Sequence, residues 1–152
     1  MSQLTVKNVT AIGYESPNIP QNTIDGNLST RWSNEGIGSW ITFDLGAPFE
    51  LTDVKIAWYN GNQRKNTFTI SASSDGASFT SIFSGTSSGT TTNFEDYVVQ
   101  AAGRFVKITF QGNTVNDWCS ITEVQIDGSS APTPTPPPTG LDVNGVDRKS
   151  VV

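Results

Sequence analysis

The stretch Asn60 to Asn66 reads NGNQRKN, an assembly of amides and two cations with little apolar surface to bury. Arg64 offers a planar fork of donors that suits a carboxylate, and Lys65 adds a second positive charge. Asn60, Asn62 and Asn66 can both donate to and accept from hydroxyl groups. The plainer reading of Arg64 is a solvated loop charge. Tyr59 stands just before the stretch, and Trp118 lies in NTVNDWCS beside Asn113, Asn116 and Asp117. Rings so placed either pack into the protein or lie against the C–H face of a ligand. A second group, Asp25, Asn27 and Thr30, surrounds Gly26, whose conformational freedom lets side-chain and carbonyl oxygens converge on a hard cation such as calcium. By spacing alone the simpler reading, a turn at Asp25-Gly26-Asn27, prevails.

Other chemistries are closed by what the chain lacks. With no histidine, there is no Ser-His or Cys-His nucleophile system, no zincin motif and no imidazole base. Zinc is disfavoured for the same reason, and the Asp25 loop does not fit the EF-hand pattern. Cys119 is the only cysteine, which rules out an internal disulfide and reads as a small buried residue. Carboxylates are plentiful, yet none stands in a motif that pairs two of them for glycoside hydrolysis; Asp44 and Asp53 look like strand-end or turn residues. A lyase built on Tyr59 and Arg64 is the remaining catalytic option, and the chain reads as a non-enzyme. The net charge of −5 disfavours nucleic acid. No run approaches the roughly 20 apolar residues needed to span a bilayer. The N-terminus MSQLTVKNVT lacks the regions of a signal peptide, so export would need a signal upstream of Met1.

The elements that must position these groups follow from period-two alternation. Ile41, Phe43 and Leu45 share one face, as do Val54, Ile56 and Trp58, then Phe68, Ile70 and Ala72, then Val106, Ile108 and Phe110, and finally Val124 and Ile126. Turn signals such as Gly46-Ala47-Pro48, Asp75-Gly76 and Gly112-Asn113 separate the runs. The pattern predicts about eight strands, near 4–9, 40–45, 51–59, 67–73, 79–84, 93–99, 104–111 and 121–127, packed as an all-β antiparallel sandwich of jelly-roll type. Trp32, Trp40 and Trp58 are expected in its core. The domain is assigned to 1–128, followed by a Pro/Thr-rich linker at 129–140. There APTPTPPPT stacks prolines into a polyproline II spacer of roughly 28 Å. A tail, 141–152, opens a following domain or is a remnant.

The strings NTIDGNLSTRW (Asn22 to Trp32), SWITFDLG (Ser39 to Gly46), RFVKITF and SITEVQI resemble the discoidin-like fold of coagulation factor type C domains, and most closely family 32 carbohydrate-binding modules. WYNGNQRKNTF and GNTVNDWCSITEV are similar to modules attached to alginate lyases. The resemblance implies a non-catalytic, monomeric module of a secreted bacterial enzyme. It also implies a structural calcium held by Asp25, Asn27 and Thr30, the main-chain carbonyls of Asn22 and Thr122, and Glu123. Galactose-binding members commonly use a histidine, so its absence turns the expectation from neutral galactosides to acidic, uronate-containing glycans. The expected ligand residues are Tyr59, Asn60, Asn62, Arg64, Lys65, Asn66, Asn113, Asn116 and Trp118. Two rivals stand beside this reading: a structural spacer between enzyme modules, and a cell-surface or phospholipid-binding domain that would use Ile19 and Ile37 at loop tips.

Overall fold

The computed structural model describes residues 2–130, so the linker from Ala131 and the tail lie outside the described residues. Alternating apolar residues form strands with one closed face, as expected of half-buried sheets. These are β1 (Ser2–Gln3), β2 (Asn8–Ala11), β3 (Trp32–Glu35), β4 (Trp40–Trp58), β5 (Asn66–Ser73), β6 (Thr80–Thr86), β7 (Phe94–Asn113) and β8 (Trp118–Ser130). A 3₁₀ turn at Pro20–Ile24 is the one helical element among the described residues. Every residue of the five alternating runs is buried. The strand order is β1-β8-β4-β7-β5-β6, with β2 paired to β4 and β3 to β8, and all pairings are antiparallel.

Several boundaries differ from the sequence expectation. The strands expected at 40–45 and 51–59 are halves of one strand, β4, and those at 93–99 and 104–111 are halves of β7. Trp40 to Asp44 pair with Thr109 to Phe105, and after a register shift Phe49 to Leu51 pair with Gly103 to Ala101. The ladder is therefore bent at Gly46-Ala47-Pro48 and not ended there. Gly46 takes φ 82, open to glycine at no steric cost. Asp44 fixes the bend, accepting the Gly46 N–H at 2.8 Å and the Arg104 guanidinium at 2.9 and 3.1 Å. That guanidinium lowers the Asp44 pKa. Of the expected strand at 4–9 only Asn8 and Val9 are strand, in β2, while residues 4–7 are not, and β8 continues through Ser130, past the assigned boundary at 128.

Bending lets one continuous ladder form two layers. The first half of β4 joins β2 and the second half of β7, which carries β5 and β6; the second half of β4 joins β8 and the first half of β7. Aromatic rings bridge the layers. Phe68 of β5 lies 5.0 Å from the Trp58 ring and 4.8 Å from Tyr97. Trp58 Nε1 donates to the Tyr97 hydroxyl at 3.0 Å, which in turn donates to Glu95 Oε1 at 3.0 Å. Burial is the main cause that raises the Tyr97 pKa. Trp32 and Trp58 are fully buried, but Trp40 is not in the core. It alternates out of phase with Ile41, and its half-buried ring lies 5.2 Å from Lys107 Nζ on the outer face. Cys119 is a free, buried cysteine whose thiol pKa is raised by burial.

Candidate binding site

β3 and β8 pair so that Ser33 faces Ser120 and Glu35 faces Trp118. The chain leaving β4 joins them through the Tyr59 N–H, which donates to Ser120 O at 3.2 Å, while the Glu15 N–H donates to Ser33 O at 2.9 Å. These segments, distant in sequence, enclose a hollow of about 170 Å³ lined by Glu15, Arg31, Ser33, Tyr59, Arg64, Asn116, Trp118 and Ser120. Tyr59, Arg64, Asn116 and Trp118 were expected at a ligand site. Arg31, Glu15, Ser33 and Ser120 were not. Arg31 had a readable signal, because it precedes the buried Trp32 in STRW and alternation then directs it outward.

Tyr59 gathers two cations. The Arg31 guanidinium carbon lies 4.1 Å from its ring centroid and that of Arg64 lies 5.8 Å away. The ring's negative face attracts each guanidinium and so offsets part of their mutual repulsion. One face of Tyr59 is thereby taken up by Arg31, and Trp118 is the second ring lining the hollow. Arg31 Nε donates to Ser33 Oγ at 3.1 Å, and Ser33 Oγ shares a hydrogen with Ser120 Oγ at 2.8 Å. Among the described residues, the ion pairs join Lys55 to Asp53 and Asp127, and Arg104 to Asp44. Neither Arg31 nor Arg64 belongs to one. Arg64 Nε is buried with no hydrogen-bond partner, an arrangement that costs free energy unless an acceptor arrives.

The remaining expected ligand residues do not line this hollow. Asn60 adopts φ 52, a left-handed turn position that asparagine tolerates, and its carbonyl accepts the Gln63 N–H at 2.9 Å. Asn66 is buried; its N–H donates to Ser87 Oγ at 2.7 Å and its carbonyl accepts the Ser87 N–H at 2.8 Å. Asn113 shapes its own loop. Its Oδ1 accepts the N–H groups of Val115 and Asn116 at 2.8 and 2.7 Å, and its Nδ2 donates to Asn116 Oδ1 at 3.1 Å and to Trp118 O at 2.9 Å. Asn62 and Lys65 lie on the other side of Arg64, away from the hollow at Arg31.

The Asp25 loop meets β8 through Glu123, whose Oε2 accepts the Gly26 N–H at 2.9 Å. Asp25 accepts from the Asn27 N–H at 2.9 Å and from the Thr30 hydroxyl. Asn22 Nδ2 donates to Arg31 O at 2.9 Å, which ties this loop to a residue of the hollow. Glu123 Oε1 is buried without a partner. Burial, seconded by the nearby Asp25 charge, raises the Glu123 pKa to about 7 although the Gly26 N–H lowers it. An orphaned buried carboxylate oxygen beside a second carboxylate suits a hard cation. Among the described residues no three His, Cys, Asp or Glu side chains gather into a metal-holding group. Asp25 and Glu123 would thus supply two carboxylates, and carbonyl, amide and hydroxyl oxygens of Asn22, Asn27, Thr30 and Thr122 the rest of a shell.

Residues 6–124 match the F5/8 type C domain family. The CBM32 of AlyQ, solved in complex with 4,5-unsaturated mannuronic acid, is 50% identical over 84% of this chain and 98% of that one, with a TM-score of 0.81. A truncated AlyQ with CBM32 and alginate lyase domains is 45% identical over 94% of this chain at the same TM-score of 0.81, and this chain spans 37% of its length. A pectin binding carbohydrate binding module is 28% identical over 86% of this chain and 96% of its own, with a TM-score of 0.78. No curated protein matches the chain. A discoidin-like sandwich matched over nearly its whole length by such modules belongs to the F5/8 type C family and, within it, to the non-catalytic family 32 carbohydrate-binding modules.

Proposed function

We propose that this module holds an acidic, uronate-containing glycan and keeps an attached polysaccharide-degrading enzyme, an alginate lyase in the favoured case, close to it. The single observation that carries the reading is the pair of guanidiniums around Tyr59, neither in an ion pair among the described residues. A uronate carboxylate would bridge Arg31 and Arg64 and satisfy the orphaned Arg64 Nε, Asn116 and the two serines would meet hydroxyls, and Trp118 would lie against the sugar's C–H face. The complex of the AlyQ module with unsaturated mannuronic acid, and its neighbouring alginate lyase domain, support the same class of ligand and of parent enzyme. An open site of this size binds at about −4 to −5 kcal/mol, millimolar to sub-millimolar. Its use lies in tethering, which raises the effective substrate concentration for the attached enzyme.

Two further parts belong to the proposal. A calcium ion at Asp25, Asn27, Thr30 and Glu123, with carbonyls of Asn22 and Thr122, staples the loop to β8. The parent enzyme is secreted by a bacterium. Calorimetric titration with an oligouronate and with its carboxyl-reduced counterpart tests the ligand reading. Binding of the acid alone, weakened at least tenfold (~1.4 kcal/mol) by Arg31→Ala, is expected. Equal binding of the reduced sugar would return the site to neutral glycans, and no binding of either would favour the structural spacer.

A further inference from the structure

Beyond Arg64 lies a second hollow of about 330 Å³, lined by Asn62, Gln63, Arg64, Lys65, Gly89 and Thr114. Arg64 lines both this hollow and the one at Arg31. Two of the three segments that form it are joined by hydrogen bonds: the Lys65 N–H donates to Thr114 Oγ1 at 3.0 Å, and the Thr114 N–H donates to Lys65 O at 3.1 Å. These bonds use only the backbone of Lys65. Its ammonium is in no ion pair among the described residues. The lysine stem lies against Gly89, where an added Cβ would come within 2.8 Å of Lys65 Cγ. No aromatic ring lines this hollow, so charge and amide hydrogen bonds must do the recognising.

We infer that the second hollow is a subsite for the next acidic sugar of the chain, with Lys65 meeting its carboxylate and Asn62 and Gln63 its hydroxyls. The inference rests on the reading of the Arg31–Arg64 hollow as a uronate site. A polyuronate carries a carboxylate on every sugar, whereas many glycans carry a single terminal acid. Cations in two adjoining hollows, with Arg64 lining both, therefore select for consecutive charges. Lys65 is the specificity-determining residue of the pair.

The test compares dissociation constants of a monouronate and the matching diuronate for the wild type, Lys65→Ala and Lys65→Arg, with thermal unfolding as the check on folding. The wild type should bind the diuronate about three- to tenfold more tightly. Lys65→Ala should lose most of that gain while binding the monouronate unchanged, and Lys65→Arg should keep it. A gain that survives Lys65→Ala, or a wild type with no gain, would overturn the subsite and leave the first hollow standing. A wild type that binds neither sugar would remove both readings.

Discussion

At the scale of single residues, the decisive distinction is between polar groups that the protein satisfies and those it leaves open. Asn66 braces Ser87 and Asn113 spends its whole amide on the loop 113–118, whereas Asn116 spends its Oδ1 on Asn113 Nδ2 and the Trp118 N–H and keeps its Nδ2 open. Residue type announced a polar, sugar-compatible region but not which amides are spent internally, because that depends on partners such as Ser87, far along the chain. Arg31 escaped notice for a related reason: it meets Tyr59 only in the fold, where the Tyr59 N–H is held at Ser120 O and Ser120 pairs with Ser33. Strand β3 itself, WSNE, was not among the expected strands, because Trp32 and Ser33 are both buried and show no alternation. The Trp58–Tyr97 hydrogen bond gives a prediction at this scale. Tyr97→Phe would leave a buried indole N–H without its acceptor and should cost about 1–3 kcal/mol in urea unfolding. An unchanged midpoint would show that the bond contributes nothing net.

At the scale of elements, the inward faces of the five alternating runs were legible because their apolar residues recur with period two, and the bends were not. Gly46-Ala47-Pro48 is a turn signal in sequence whether the strand ends or folds over, and only the ladder from Phe105 on to Gly103 decides. The link from β5 to β6 shows a loop held by one carboxylate. Asp75 Oδ1 accepts the N–H groups of Ala77 and Ser78 at 2.9 and 3.0 Å and the Ser73 hydroxyl at 2.9 Å. Those bonds lower its pKa from 3.8 to about 2. A carboxylate with a depressed folded-state pKa contributes stability that is fully present above its unfolded pKa and is lost as pH falls through the folded one. The stability difference between wild type and Asp75→Ala should thus be constant above pH 3.8 and shrink as pH falls through about 2. Acid unfolding curves of the two proteins that stay parallel down to that pH would contradict the assignment.

At the scale of the whole molecule, the proposed calcium links the loop that begins at Asn22 to β8 and, through the Asn22 hydrogen bond to Arg31 O, to the proposed sugar site. A ligand that binds only the folded state stabilises it by mass action, about 2.7 kcal/mol at a hundredfold excess over its dissociation constant. Calcium should therefore raise the unfolding temperature and a chelator lower it, with Glu123→Gln abolishing the response; a melting curve indifferent to calcium would remove the ion from the account. The molecule as a whole repels polyanions, with a net charge of −5, so attraction must be local, within a Debye length of about 10 Å at 0.1 M salt. The orphaned Arg64 Nε–H reports directly on that local event. Its NMR resonance should shift saturably on titration with unsaturated mannuronate, with calcium present, and stay fixed with galactose. A fixed resonance with the uronate, or an equal shift with galactose, would contradict recognition of an acidic sugar between Arg31 and Arg64.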